Sequence, residues 1–137
     1  MKTISILFFT ILFVISCKTS DINPSDIIGK WKPAYITQNK QADGTFDAWH
    51  TINTLVALPM YEFTNDGQFL KNGQPGADCC SSGNNYRVIN NEIIFFDLLN
   101  CPTVSCGGYP KWIIIEIKGD TLILEKYNIR NKFVKIN

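Results

Sequence analysis

Tyr61-Glu62-Phe63-Thr64-Asn65-Asp66-Gly67-Gln68-Phe69 is the stretch on which the fold turns. Apolar and polar side chains alternate from Tyr61 to Thr64, the period of a strand with one buried face. Asn65-Asp66-Gly67 suits a three-residue hairpin loop with glycine in the left-handed position. That register sets Phe63 against Phe69 and Thr64 against Gln68, so the aromatic rings share one side of the sheet.

Two further hairpins are read the same way. Asn90-Asn91 suits a two-residue type I′ turn, because Asn tolerates positive φ; it pairs Val88 with Ile93 and Tyr86 with Phe95. Gly119-Asp120 predicts another, pairing Ile117 with Leu122 and Ile115 with Leu124, with Glu116–Ile123 and Ile114–Glu125 on the opposite face. A first strand is expected over Lys30 to Thr37 and a last over Asn131 to Ile136, with Ser25-Asp26 capping a helical turn before the first. The stretch from Gln38 to Leu58 carries no readable period. Short runs of Ile, Val, Phe and Tyr between turn residues, with almost no helical period, predict an all-β domain over residues 27–137. The expected architecture is a small up-and-down antiparallel β-barrel of roughly eight strands.

The N-terminus carries an address. Met1-Lys2-Thr3 is followed by an apolar run from Ile4 to Ile15, too short to span a bilayer, which takes ~20 residues. Residues 1–16 therefore read as a signal peptide. Val14-Ile15-Ser16-Cys17 resembles the bacterial lipobox, which implies cleavage before Cys17 and its lipidation, with residues 17–26 as a tether. Acyl chains contribute about 0.8 kcal/mol per buried CH₂, so two or three anchor stably. Lys18 follows the Cys, where the best-known inner-membrane retention signal has Asp, so the expected location is the outer membrane. The alternative is an ordinary secreted protein with an incidental Cys17. Cleavage leaves 121 residues, with 12 basic and 12 acidic side chains. That suffices for one domain, and a neutral chain with no basic run argues against nucleic acid as a partner.

Four cysteines remain: Cys79, Cys80, Cys101 and Cys106. They sit in two loops, Gly73 to Gly83 and Leu99 to Pro110, separated by one hairpin and so emerging at one end of an up-and-down barrel. Even number and oxidising compartment favour two inter-loop disulfides. Adjacent cysteines rarely bond to each other, so Cys79 and Cys80 each take one of Cys101 and Cys106, in either order. A four-thiolate zinc site is the rival reading, but the spacings are not of the paired C-x₂-C type. His50 is the only His, which excludes a His-rich metal site, and Asp47 three residues before it completes no catalytic motif. Glu62 and Glu116 fall on outward faces. No enzyme activity, catalytic residue, metal or cofactor is expected.

Ile28-Gly29-Lys30-Trp31 resembles the G-x-W motif that opens the first strand of lipocalins. Tyr61 to Phe69 is similar to the central hairpin of bacterial lipocalin-like lipoproteins. Lys118-Gly119-Asp120-Thr121-Leu122-Ile123-Leu124-Glu125, with Arg130 and a short last strand, resembles their C-terminal hairpin. The resemblance implies that Trp31 plugs the closed barrel end and that Arg130 lies across it, a cation–π contact of ~0.5–2 kcal/mol. Lys126 and Lys132 are rivals for that cover, and no middle motif with a T-D-Y triplet is visible.

Two functions from different classes follow. In the first, an envelope-anchored, monomeric barrel holds a small apolar ligand among Tyr61, Phe63, Phe69, Tyr86, Phe95, Ile115 and Leu124. In the second, those side chains fill the core, and the disulfide-stapled loops meet another envelope molecule. An open cavity favours the first and an exposed apolar loop patch the second.

Overall fold

Pro24 opens the first element, a 3₁₀ turn over Pro24–Ile27. Its cap is Asn23, not the expected Ser25: the Asn23 Oδ1 accepts from the Ser25 N–H at 3.1 Å. Proline at the first helical position, where its missing N–H costs nothing, fixes the start one step earlier. The computed structural model describes residues 22–106 and 110–137, so the signal segment and Cys17 lie outside the described residues.

Among the described residues ten strands follow: β1 (Gly29–Asn39), β2 (His50–Thr51), β3 (Tyr61–Phe63), β4 (Phe69–Lys71), β5 (Gln74–Pro75), β6 (Gly83–Ile89), β7 (Glu92–Leu98), β8 (Lys111–Lys118), β9 (Thr121–Lys126) and β10 (Ile129–Ile136). The two-residue β2 and β5 are additions to the roughly eight strands expected. Every pairing is antiparallel, in the order β5-β4-β3-β1-β10-β9-β8-β7-β6, with β2 beside β1. The ladder is nearly closed. Between β4 and β6, a bridge from Gln68 to Asn85 and the Tyr86 N–H to Gly67 carbonyl bond (2.8 Å) join the remaining gap. The Gln38 to Leu58 stretch is an excursion from one barrel end that returns through β2 to pair Thr51 with Ile36.

The hairpin registers follow the turn chemistry. Phe63 faces Phe69, and Tyr86 faces Phe95 across the turn in which Asn90 (φ 49°) and Asn91 (φ 63°) both take the left-handed conformation. Asn72-Gly73 and Tyr127-Asn128 make two more turns with both φ angles positive, joining β4 to β5 and β9 to β10. The Asn-Gly pair carries a strong hairpin signal of its own.

One register is corrected. From Gly119-Asp120 the pairs run Ile117–Leu122 and Glu116–Ile123 as expected, but a bulge then shifts the strand and Ile114 meets Leu124. The extra residue is Ile115, which ends about one-third exposed on the outer surface, while Ile114 is buried. A bulge sets two residues against one and so reverses which side chains face inward beyond it. Period-two reasoning from the turn cannot anticipate that.

The interior is filled. Ile27, Trp31, Tyr61, Phe63, Phe69, Ile93, Phe95, Trp112, Ile114, Leu122, Leu124 and Phe133 form one buried cluster. Phe69 lies at its centre, its ring 5.0–5.4 Å from those of Phe63, Phe95, Trp112 and Tyr61. Tilted and edge-on aromatic pairs each contribute about 0.5–1.5 kcal/mol beyond the area they bury.

Candidate functional site

The two barrel ends are built differently. At the closed end the 3₁₀ turn lies below fully buried Trp31, whose Nε1 donates to the Ile27 carbonyl at 2.7 Å. Lys135, opposite Trp31 on β10, places its ammonium 5.1 Å from the indole ring. Arg130 does not take the cover role that the resemblance implied. Its guanidinium stacks on Phe46 at 3.6 Å and bonds Glu125 at 3.0 Å. The reason is positional: Arg130 pairs with Gln38, seven residues along β1 from Trp31. It is also an odd number of residues from inward-facing Phe133, so alternation turns it outward.

At the open end two disulfides join the cysteine loops, Cys79 to Cys101 and Cys80 to Cys106. The stapled loop folds over the barrel rim: the Ser81 carbonyl accepts from Trp112 Nε1 at 2.8 Å, and the Cys80 carbonyl from the Tyr127 hydroxyl at 2.9 Å. Asp78 organises it, accepting from Lys71 at 2.6 Å and from Ser81 and Ser82. Burial raises the Asp78 pKa, but those partners outweigh it and hold the carboxyl well below the usual range.

Beside the stapled loop lies a partly enclosed cavity of about 100 Å³. It exists because β1 is irregular. Pro33 pairs with Phe133 and Thr37 with Asn131, leaving three residues of β1 opposite one of β10. Tyr35, in that bulge, has φ 58°, a conformation rare for an aromatic residue and held here by its surroundings. Its carbonyl accepts from the Ile52 N–H at 3.0 Å and its hydroxyl from the Leu58 N–H at 3.3 Å. The bulge splays β1 from β10, and Leu58 with Pro59 close the far wall.

Apolar groups dominate the lining, with Lys126 among them. Its Nζ donates to the Tyr61 hydroxyl at 2.9 Å and lies 4.7 Å from the Trp112 ring and 5.3 Å from that of Tyr61. Burial pushes its pKa down. Burial likewise pushes the Tyr61 pKa up, so the hydroxyl is neutral and a dipole, not a counter-charge.

Of the residues predicted to hold a ligand, only Tyr61 borders this cavity. Phe63, Phe69, Phe95 and Leu124 are buried against one another, half-buried Tyr86 packs edge-on to Phe63, and Ile115 faces outward. Lys126 was legible in principle: Leu122, Leu124 and Lys126 alternate along β9 and so share the inward face. Tyr35 carried no comparable signal. His50 bonds the Thr37 hydroxyl at 3.2 Å and stands 3.8 Å from Asp47. Glu62 faces Lys30 at 3.9 Å, far along the wall from Glu116. Among the described residues no group of three or more His, Cys, Asp and Glu is placed to hold a metal, and no helix is long and apolar enough to cross a membrane.

No known protein-family profile matches the chain, and no curated protein does. A solved structure of a lipocalin-like protein from Bacteroides uniformis is similar to it, at 22% identity and a TM-score of 0.47. The match covers 81% of this chain and 99% of that one.

Proposed function

We propose that this protein is an envelope-anchored, non-catalytic barrel that binds a small, mainly apolar ligand at its open end. The observation that carries the reading is the cavity at the β1 bulge, roofed by Leu58 and Pro59 and floored by Tyr61 and Phe133. A strained tyrosine, an irregular strand and a half-open apolar pocket coincide there. The barrel axis, filled with rings, offers no such space. The ligand site therefore moves from the interior to the rim.

The anchor gives this arrangement a direction. Ile22 donates its N–H to the Asn91 Oδ1 at 3.0 Å and packs against the core. Cys17 precedes it by five residues, which reach at most ~18 Å fully extended. A lipid on Cys17 keeps the closed end beside the membrane and turns the open end toward the aqueous compartment. Cys17→Ser should release the protein from membranes or stall its processing. Wild-type protein recovered soluble, with no added mass on its N-terminal Cys, would overturn the anchor. For the pocket, Leu58→Trp fills the space. A panel of small apolar probes followed by tryptophan fluorescence should bind the wild type and not this variant.

A second reading has an observation of its own. Leu55 is fully exposed and Val56 largely so, and Leu99 and Val104 on the stapled loops are about half exposed. Apolar side chains presented at the open end suit contact with another envelope molecule.

A further inference from the structure

We infer that the open-end cavity is an anion-receiving pocket: its ligand is a compact apolar body ending in a carboxylate, and the Lys126 ammonium is the counter-charge. The inference rests on the ligand-binding reading above and adds the chemical class.

An ammonium removed from water is costly unless it is paired and hydrogen-bonded. Among the described residues Lys126 makes no ion pair; the five present join other groups. Asp78, whose charge also acts on Lys126, is bound by Lys71 at 2.6 Å. Two ring faces and one neutral hydroxyl are therefore the neighbours of the partly buried Lys126 ammonium. An ammonium has three donors, and the Tyr61 hydroxyl uses one. The remaining N–H groups belong to a side chain that lines the cavity. β9 could satisfy the core with a leucine at this inward position, as it does at Leu122 and Leu124. The lysine instead introduces a positive charge into an apolar pocket.

The rest of the lining fits such a ligand. Pro33, Leu58, Pro59 and Phe133 supply a dry wall for a short branched or cyclic hydrocarbon. About 100 Å³ is below the ~150 Å³ of a cavity known to take benzene. A long acyl chain does not fit; on that scale the cavity takes about four carbons, the branched end of a five-carbon acid, and leaves its carboxylate at the open edge beside Lys126.

The test compares isovalerate with its uncharged isostere isovaleramide, titrated into the protein and into Lys126→Met, Lys126→Arg and Leu58→Trp. Tryptophan fluorescence serves as the readout, since Trp112 lies beside Lys126. Urea unfolding of each variant confirms the folded state. Wild type should prefer the acid over the amide by about tenfold or more, the scale of one charge-assisted hydrogen bond. Lys126→Met should lose the preference while still binding the amide, Lys126→Arg should keep it, and Leu58→Trp should bind neither. Equal affinity of wild type for acid and amide overturns the charge assignment and leaves the pocket standing. No binding of either compound, with Leu58→Trp indistinguishable from wild type, overturns the pocket itself.

Discussion

The ammonium of Lys135 stands 5.1 Å from the Trp31 ring, over a backbone turn that only Gly29 permits. Gly29 has φ 132°, and a Cβ there would lie 2.9 Å from the Lys135 side chain. The glycine of the G-x-W triplet thus leaves room for the Lys135 side chain, the 3₁₀ turn supplies the carbonyl for Nε1, and Trp31 lies fully buried between them. Trp31→Ala should cost ~3–5 kcal/mol, and Lys135→Ala no more than ~0.5–2 kcal/mol. Urea denaturation of both variants beside Arg130→Ala checks the assignment. Arg130→Ala should leave the Trp31 environment unchanged by near-ultraviolet circular dichroism.

Phe69 tests whether the barrel axis is solid. Its ring touches four others and is fully buried, so Phe69→Ala opens a new void and should cost ~3–5 kcal/mol, as Trp31→Ala does. A stability loss under ~1 kcal/mol would mean that the axis already holds empty space, because enlarging a void is cheaper than creating one.

The disulfides predict a peptide map. Non-reducing digestion should link Cys79 to Cys101 and Cys80 to Cys106, with loops of similar span, 22 and 26 residues of separation. Loss of either bridge should cost on the order of 2–5 kcal/mol. Four titratable thiols in the native protein would contradict the pairing.

Asp78 makes the stapled loop acid-sensitive. Its folded-state pKa lies below the unfolded value of ~3.9, so it contributes stability above about pH 4. That contribution declines as pH falls from there toward the folded-state pKa, as the proton removes the charge that Lys71 and the Ser81 and Ser82 donors bind. Urea midpoints of wild type and Asp78→Asn should differ at pH 6 and converge as the pH falls below 4. A gap that stays constant with pH would show that the carboxylate's charge is not what holds the loop.

The sequence by itself determined the architecture. Turn residues and period two placed three hairpins, because a turn such as Asn90-Asn91 dictates register locally and every later pair follows from it. The shared emergence of the cysteine loops also follows from chain order alone. Where register broke, local reasoning broke with it. The bulge at Ile115 exchanged that residue for Ile114 in the core, and the one at Tyr35 opened the cavity. A bulge is fixed by how a strand must bend to close the barrel, which involves neighbours far apart in the chain. Disulfide partnering, Lys135 over Trp31, and Lys126 among the rings of Tyr61 and Trp112 likewise join residues 14 to 104 positions apart. Alternation along β9 turned Lys126 inward, but only the tertiary packing placed it without a carboxylate at the edge of an apolar cavity.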